Sequence, residues 1–215
     1  DQATLDWSRA GAHGQWGAGL DLRHQADAID NAQASIDPAT GIATQDHATT
    51  NAYTVTTTSA AAWVTDQVRF GKWEALLGGR AARTALRVAA ERPTYWRAFD
   101  PSLHLKFAFD EDAEATFALR RSLQMPDPRD LNPFTTYVDA RNVGRGNPGL
   151  GPQRVTSWEL GTHASGSHVD GGVTAFYRAA RNTVFDARSL AGAVLVTSKE
   201  NGGQARSAGV TGAID

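Results

Sequence analysis

Leu103-His-Leu-Lys-Phe-Ala-Phe-Asp-Glu-Asp-Ala-Glu-Ala-Thr-Phe-Ala-Leu-Arg120 decides the fold class. Leu103, Leu105, Phe107 and Phe109 alternate with His104, Lys106 and Ala108. After the acidic segment Asp110-Glu-Asp112, Ala115, Phe117 and Leu119 alternate with Thr116, Ala118 and Arg120. Successive side chains of a strand point to opposite faces, so period-two alternation on both sides of a short polar segment spells a hairpin with one apolar face. Leu103, Leu105, Phe107, Phe109, Phe117 and Leu119 are expected on that face together.

The same alternation runs outward in both directions. Toward the start it appears in Leu5 and Trp7 against Asp6 and Ser8, then beyond Gly11-Ala-His-Gly14 in Ala18, Leu20 and Leu22 against Asp21 and Arg23. It returns from Tyr53 to Val68 and, past Phe70-Gly-Lys72, from Trp73 to Val88. Further on come Arg154 to Ala164 and Val169 to Arg178, then Ala193 to Ser198 and Gln204 to Ile214. This gives about ten strands in five hairpins, an all-β antiparallel up-and-down meander. Residues 81–92 are rich in helix formers, but their hairpin context favours strand. Tight turns fall near 11–14, 70–72, 110–113 and 165–168, and the expected long connections are roughly 25–51, 89–98, 122–153 and 179–192. Short turns on one side and long loops on the other describe a transmembrane β-barrel, whose tilted strands need only ~9–11 residues to cross.

Composition narrows the alternatives. With 41% hydrophobic residues and a net charge of −2, the chain is too apolar and too weakly charged for disorder, and it offers no basic footprint for nucleic acid. No apolar stretch reaches the ~18 residues of a membrane-spanning helix. The absence of cysteine excludes disulfides, thiolate metal sites and cysteine nucleophiles. The start, Asp1-Gln-Ala-Thr4, has neither a basic nor an apolar stretch, and the end breaks off within a strand pattern. The chain is therefore expected to be one β-barrel segment, residues 1–215, excised from a longer exported protein.

Several ordered motifs resemble TonB-dependent receptors of the outer membrane. Phe99-Asp-Pro-Ser-Leu-His-Leu105 resembles their "F-P-S-L" strand opening. Leu119-Arg-Arg-Ser-Leu-Gln-Met-Pro-Asp-Pro-Arg-Asp-Leu-Asn-Pro-Phe134 is similar to their "S-R-x-x-x-R-P-x-x-x-D-L-N-P-F" segment. Gly146-Asn-Pro-Gly-Leu-Gly-Pro-Gln153 resembles "G-N-P-x-L-x-P-E", Trp158-Glu-Leu-Gly161 the following "x-E-L-G", and Asn201-Gly-Gly-Gln-Ala-Arg-Ser-Ala-Gly209 the return strand. These segments cover about half the chain. The chain departs from the pattern at Met125-Pro126, where the family has Arg-Pro, and at Gln153, where it has Glu. No TonB box, plug domain or signal peptide is present, and the family's barrels have about 22 strands. The resemblance implies an interior slice of such a barrel in the cell outer membrane. The intact protein would capture a scarce nutrient (a chelated metal, an oligosaccharide or a peptide) and release it with energy from a TonB-type transducer.

The motif residues also have a physical reading. Pro126, Pro128, Pro133, Pro148 and Pro152 cannot donate to a ladder and fix loop backbone instead, while Asp130 and Asn132 can cap turns. A rigid loop scaffold follows, with Arg129, Tyr137 and Arg141 as the candidate ligand-binding residues, because rigid barrels carry binding on their loops. The six histidines are His13, His24, His47, His104, His163 and His168. His163 and His168 flank one turn without the further ligands a zinc site needs, and Asp110, Glu111, Asp112 and Glu114 lack EF-hand spacing. No nucleophile elbow, Walker or dinucleotide motif occurs, so neither an enzyme nor a resident cofactor or metal is expected. Trp7, Trp16, Trp73, Trp96 and Trp158, near strand ends, suit an interfacial girdle, whereas Trp63 suits a core equally well. The expected partners are outer-membrane lipid, an extracellular small ligand and, for the intact protein, the transducer; open strand edges invite self-association. The terminal strands are expected either to close a smaller barrel or to pair between chains. The alternative reading is a small barrel with an adhesive or structural role.

Overall fold

The computed structural model describes residues 1–12, 14–45, 50–139, 141–166 and 170–214. Nine long strands form the wall: β1 (Gln2–Gly11), β2 (Gly14–Asn31), β5 (Asn51–Phe70), β6 (Trp73–Val88), β7 (Thr94–Ala108), β8 (Ala113–Gln124), β11 (Gln153–Ser165), β12 (Asp170–Ala191) and β13 (Val194–Ile214). The short strands β3 (Ala34–Ile36) and β4 (Ala43–Gln45) pair within the first long loop. β9 (Thr135–Asp139) and β10 (Asn142–Arg145) lie in the loop between β8 and β11. The sheet order is β1-β2-β5-β6-β7-β8-β11-β12-β13-β10-β9, antiparallel throughout except where β10 runs parallel to β13. Among the described residues no ladder joins β1 to β13, so the expected closure into a smaller barrel does not occur and the sheet stays open.

The register confirms the central hairpin: Leu103 faces Leu119, Leu105 faces Phe117 and Phe107 faces Ala115. The residues from Ala81 to Val88 are strand, paired with β5 on one side and, through Leu86, with β7 on the other. Ladder hydrogen bonds to two neighbours outweigh the few tenths of a kcal/mol by which Ala, Leu and Arg favour helix. Three differences from expectation share one cause. β2 runs on to Asn31, the connection after β6 shrinks to residues 89–93, and the segment expected as a connection at 179–192 continues as strand. The fifth expected hairpin is therefore a single strand, β13, paired with β12 up to a tight turn at Gly192. Asn201-Gly-Gly203, which falls between the strands expected at 193–198 and 204–214, forms a bulge, where Asn182 (φ 57°) and Gly202 (φ 136°) take up the extra backbone. The common cause is strand length: β2, β12 and β13, at 18, 22 and 21 residues, exceed the ~9–11 that a tilted strand needs to cross a bilayer.

The two faces differ in chemistry. Trp16, Ala18, Leu20 and Leu22 on β2 line up through the register with Val64 and Ala62 on β5 and with Leu5 and Trp7 on β1. Leu77, Leu103, Leu119, Trp158 and Tyr177 continue the row across five strands. Large apolar side chains on this face are bare: Leu20 is 52% exposed, Leu160 58% and Val210 69%. A wall that leaves its largest hydrophobic residues uncovered is built for lipid. The opposite, inner face carries Asp21, Glu74, Arg80, Lys106, Glu114 and His163. Arg80 Nη2 reaches across β5 to Asp21 Oδ2 at 3.3 Å, Arg69 pairs with Glu74 at 3.0 Å, and Lys106 pairs with Glu114.

Tryptophan placement divides the girdle expectation. Trp7 and Trp16 stand edge to face at 4.0 Å on the lipid face near a tight turn, and Trp73 packs on Phe70 and Phe107 beside the next one. Trp158, also on the lipid face, packs on Tyr177. Trp63 turns inward and covers Gly17 and Gly19, whose missing side chains make room for the indole. Trp96 also turns inward, against the buried cluster described next.

Candidate functional site

The buried cluster sits at the long-loop end of the inner face. Tyr53 and Val55 of β5 and Leu86 and Val88 of β6 meet Leu131 and Leu150 of the loop 125–152, with Ile29, Trp96, Met125 and Val184 packed around them. Leu131 and Val55 are fully buried. The long loop is thus folded back onto the inner wall. Its Leu131 and Leu150 supply the apolar anchors that bring this end of the sheet its hydrophobic core.

Polar contacts hold the loop in one geometry. The short 3-10 turn at Pro128–Leu131 starts on Asp127, whose carboxylate accepts from the Arg129 amide at 2.8 Å, with Pro128 at the first position where no amide is needed. The Tyr53 hydroxyl donates to the Pro128 carbonyl at 3.2 Å, and burial pushes that phenol upward. The amide of Asn147 donates to the Asp130 carbonyl at 2.8 Å. Gly146 passes so close to the 3-10 segment that a Cβ would lie 2.5 Å from the Asn132 nitrogen and 2.6 Å from its oxygen. Only glycine allows this approach.

The far end of the loop is clamped by the strand bulge. Asn201 accepts from the Gly151 amide at 2.6 Å and donates to the Gly151 and Asn182 carbonyls at 3.0 Å each, while Asn182 donates to the Pro152 carbonyl at 3.0 Å. Asn147 donates to the Lys199 carbonyl at 3.0 Å. Lys199 Nζ lies 2.9 Å from Asp186 and 3.4 Å from Asp130, tying strand and loop together. The hydrogen bond from Lys199 lowers the Asp186 carboxyl, and Asp186 in turn raises Lys199. In the sequence Asn182 falls in the expected connection 179–192 and Asn201 opens the motif that resembles the return strand, and neither carries a sign of this clamp. The hydrogen-bond partners of Asn182, Lys199 and Asn201 in the loop, Pro152, Asn147 and Gly151, lie 30, 52 and 50 positions away, so only the three-dimensional register exposes the role.

The three candidate ligand residues sit on this scaffold but not beside one another. Arg129 is exposed on the 3-10 turn. Tyr137, 50% exposed, lies on β9, where its carbonyl accepts from the Gln33 side chain of the first loop. Arg141 is exposed in the β9–β10 connection, and its carbonyl accepts from the Leu195 amide at 2.7 Å. Asp139 caps that connection through the Arg141 amide and the Asn142 side chain, which hold its carboxyl below the usual range. No hydrogen bond or ring contact joins Arg129, Tyr137 and Arg141 among the described residues. At the opposite end, the acidic turn caps itself through Asp110, which accepts from the Asp112 amide at 3.0 Å. His163 lies 3.8 Å from Asp170, and His13, His47 and His168 fall outside the described residues.

An apolar outer wall, a charged inner face and a loop pinned inside one rim are the parts of a membrane barrel, and the chain matches the model of the outer membrane protein beta-barrel family over residues 3–214. The chain belongs to that family. It is a protein of the cell outer membrane. Solved receptors share its fold. The Serratia marcescens hemophore receptor HasR, solved with its hemophore HasA and heme, aligns at TM-score 0.68 and 16% identity over 99% of this chain. The Neisseria meningitidis FrpB iron transporter aligns at 0.63 and 13% over 98%. The Pseudomonas aeruginosa ferric enterobactin receptor PfeA, solved with enterobactin, aligns at 0.56 and 15% over 98%. The family member spans 38%, 31% and 40% of those receptors' lengths, respectively. No curated protein matches it. The resemblance to TonB-dependent receptor barrels read from residues 99–160 therefore agrees with the fold.

Proposed function

We propose that this outer-membrane barrel segment serves a TonB-dependent receptor that takes up a scarce nutrient, with a chelated metal as the favoured class over an oligosaccharide or a peptide. The observation that carries the reading is the loop 125–152, pinned against the inner wall by Asn201, Asn182 and Lys199 while Arg129, Tyr137 and Arg141 stay exposed. A rigid loop with free cationic and phenolic side chains suits capture of an anionic chelate, since the ordering cost is already met before the ligand arrives. The metal preference draws on the iron, heme and copper named for structural neighbours. Release into the cell would need energy from a periplasmic partner of the TonB type. Open strand edges at β1 and β13 would pair with further barrel strands or with another chain.

The test is uptake of radiolabelled ferric chelates by cells carrying the full-length protein, with and without an active energy transducer. Uptake that requires both the protein and the transducer supports the reading, with Arg129→Ala and Arg141→Ala each expected to weaken cell-surface binding of the chelate about tenfold. Uptake and growth under metal limitation unchanged by loss of the protein would refute it.

A further inference from the structure

The lipid face carries a belt of arginines where an all-apolar wall would be expected. Arg83, Arg97, Arg121, Arg154, Arg181 and Arg206 all fall in register with the outward row. Each sits toward the long-loop end, and on four strands the offset from the tight-turn end is the same. It is ten residues from Trp73 to Arg83, from Phe107 to Arg97, from Ala164 to Arg154 and from Gly171 to Arg181. Ten residues rise ~33 Å along a strand, or ~25 Å along the normal at a ~40° tilt, which is the height of the apolar band of an outer-membrane barrel. The belt therefore lies at the headgroup level of the outer leaflet.

Its internal arrangement calls for an anion. Arg83 directly faces Arg97, and Arg154 directly faces Arg181. Like charges opposite one another in a ladder are destabilising unless something between them is negative. Among the described residues the side chains of Arg97, Arg121, Arg154 and Arg181 form no ion pair or hydrogen bond. The Nε of Arg121 is buried with no hydrogen-bond partner among the described residues. Asp100, the carboxylate nearest them in β7, lies on the other face opposite Arg80 and forms no ion pair with them among the described residues.

These four arginines surround a cavity of about 710 Å³, floored by Leu119, Pro101 and Trp158. It forms because the β7–β8 ladder ends at Ser102 and Arg120, leaving the strands free to part above that point. The cavity is cationic at the headgroup level and apolar on the side toward the bilayer centre.

We propose that this cavity binds the phosphorylated headgroup of an outer-leaflet lipid, with Arg97, Arg121, Arg154 and Arg181 on the phosphate and acyl chains running down past Leu119 and Trp158. Guanidinium forks engage phosphate oxygens bidentately, and one bridging phosphate relieves the Arg154–Arg181 repulsion. The apolar floor selects a lipid over a free anion, because only a lipid fills both halves of the cavity.

The test is native mass spectrometry of the full-length protein extracted from outer membranes in mild detergent, titrated with lipid A, dephosphorylated lipid A or inorganic phosphate. One lipid A should be held per chain, with binding at least tenfold weaker for the dephosphorylated lipid and for the variant Arg121→Gln/Arg154→Gln. Arg178→Gln, an inner-face change, should bind as the wild type does. Arg181→Gln alone, on an exposed strand position, provides the reading should the double variant lose its folded, heat-modifiable form. Equal binding by variants and wild type, equal binding of the dephosphorylated lipid, or full displacement of lipid A by millimolar phosphate would each overturn the proposal.

Discussion

Replacing Asn201 with alanine should release one end of the inner loop while leaving the wall intact. The side chain makes three hydrogen bonds: from the Gly151 amide at 2.6 Å and to the carbonyls of Gly151 and Asn182 at 3.0 Å each. The two to Gly151 are partly buried and the third is exposed. Taking ~1 kcal/mol for each of the former and ~0.5 for the latter gives ~2.5 kcal/mol. At 1.36 kcal/mol per factor of ten, the Gly151 amide should exchange its proton about 70-fold faster. The loop's other anchors, Leu131 and Leu150 in the buried cluster and the Lys199–Asp130 pair, remain, so peptides covering 127–134 should change by less than a factor of three on the same energetic scale. Peptides of β5 and β6 below the rim should not change. Hydrogen exchange read by mass spectrometry separates these segments. Unchanged protection at 146–152, or equal loss of protection across β5 and β6, would refute the clamp.

Leu131→Ala should destabilise the rim by ~2–5 kcal/mol, because a fully buried side chain is removed where Val55, Leu86 and Leu150 cannot close the gap; exchange of residues 125–135 measures it. Gly146→Ala should cost ~1–3 kcal/mol through overpacking against Asn132 backbone, read as a lower unfolding midpoint of the loop in denaturant. Leu103→Arg on the lipid face should cost ~2–4 kcal/mol in lipid vesicles, whereas His104→Arg on the inner face should cost far less; reversible unfolding by guanidinium in vesicles compares the two. The Asp186–Lys199 pair should hold the projecting β12–β13 tip over a wide pH window. Asp186 is lowered from 3.8, so its contribution is complete above that value and is lost as pH falls through its lower folded value. Lys199 is raised from 10.5, so its contribution is complete below that value and is lost as pH rises through its higher folded value. Tip exchange corrected for intrinsic rate should be flat from pH ~5 to ~9, and a step near neutrality would contradict the assignment.

The two faces of the central hairpin and the tight turns near 70–72 and 110–113 were legible in the chain, because a period of two is a local property: Leu103, Leu105 and Phe107 announce their face without reference to any distant residue. The turn at Gly71 and the loop prolines are local in the same sense. The loop's rigidity was legible in part, through its prolines and Asn132, which caps the Phe134 amide as expected; the other expected cap, Asp130, instead pairs with Lys199, and Asp127 caps the 3-10 turn. Long-range information was not. Asn201-Gly-Gly203 falls between two expected strands, and only pairing with the whole of β12 makes it a bulge whose asparagine clamps Gly151. Alternation places Trp63 and Trp96 on the inner face, but nothing local shows what receives them; the glycines that receive one and the cluster that receives the other come from other strands. The arginine belt was equally hidden, since Arg83, Arg97, Arg154 and Arg181 are scattered along the sequence and become neighbours only when the ladders set them side by side. Alternation fixes which way a side chain points, but what it meets there is decided by strands that the sequence keeps far apart.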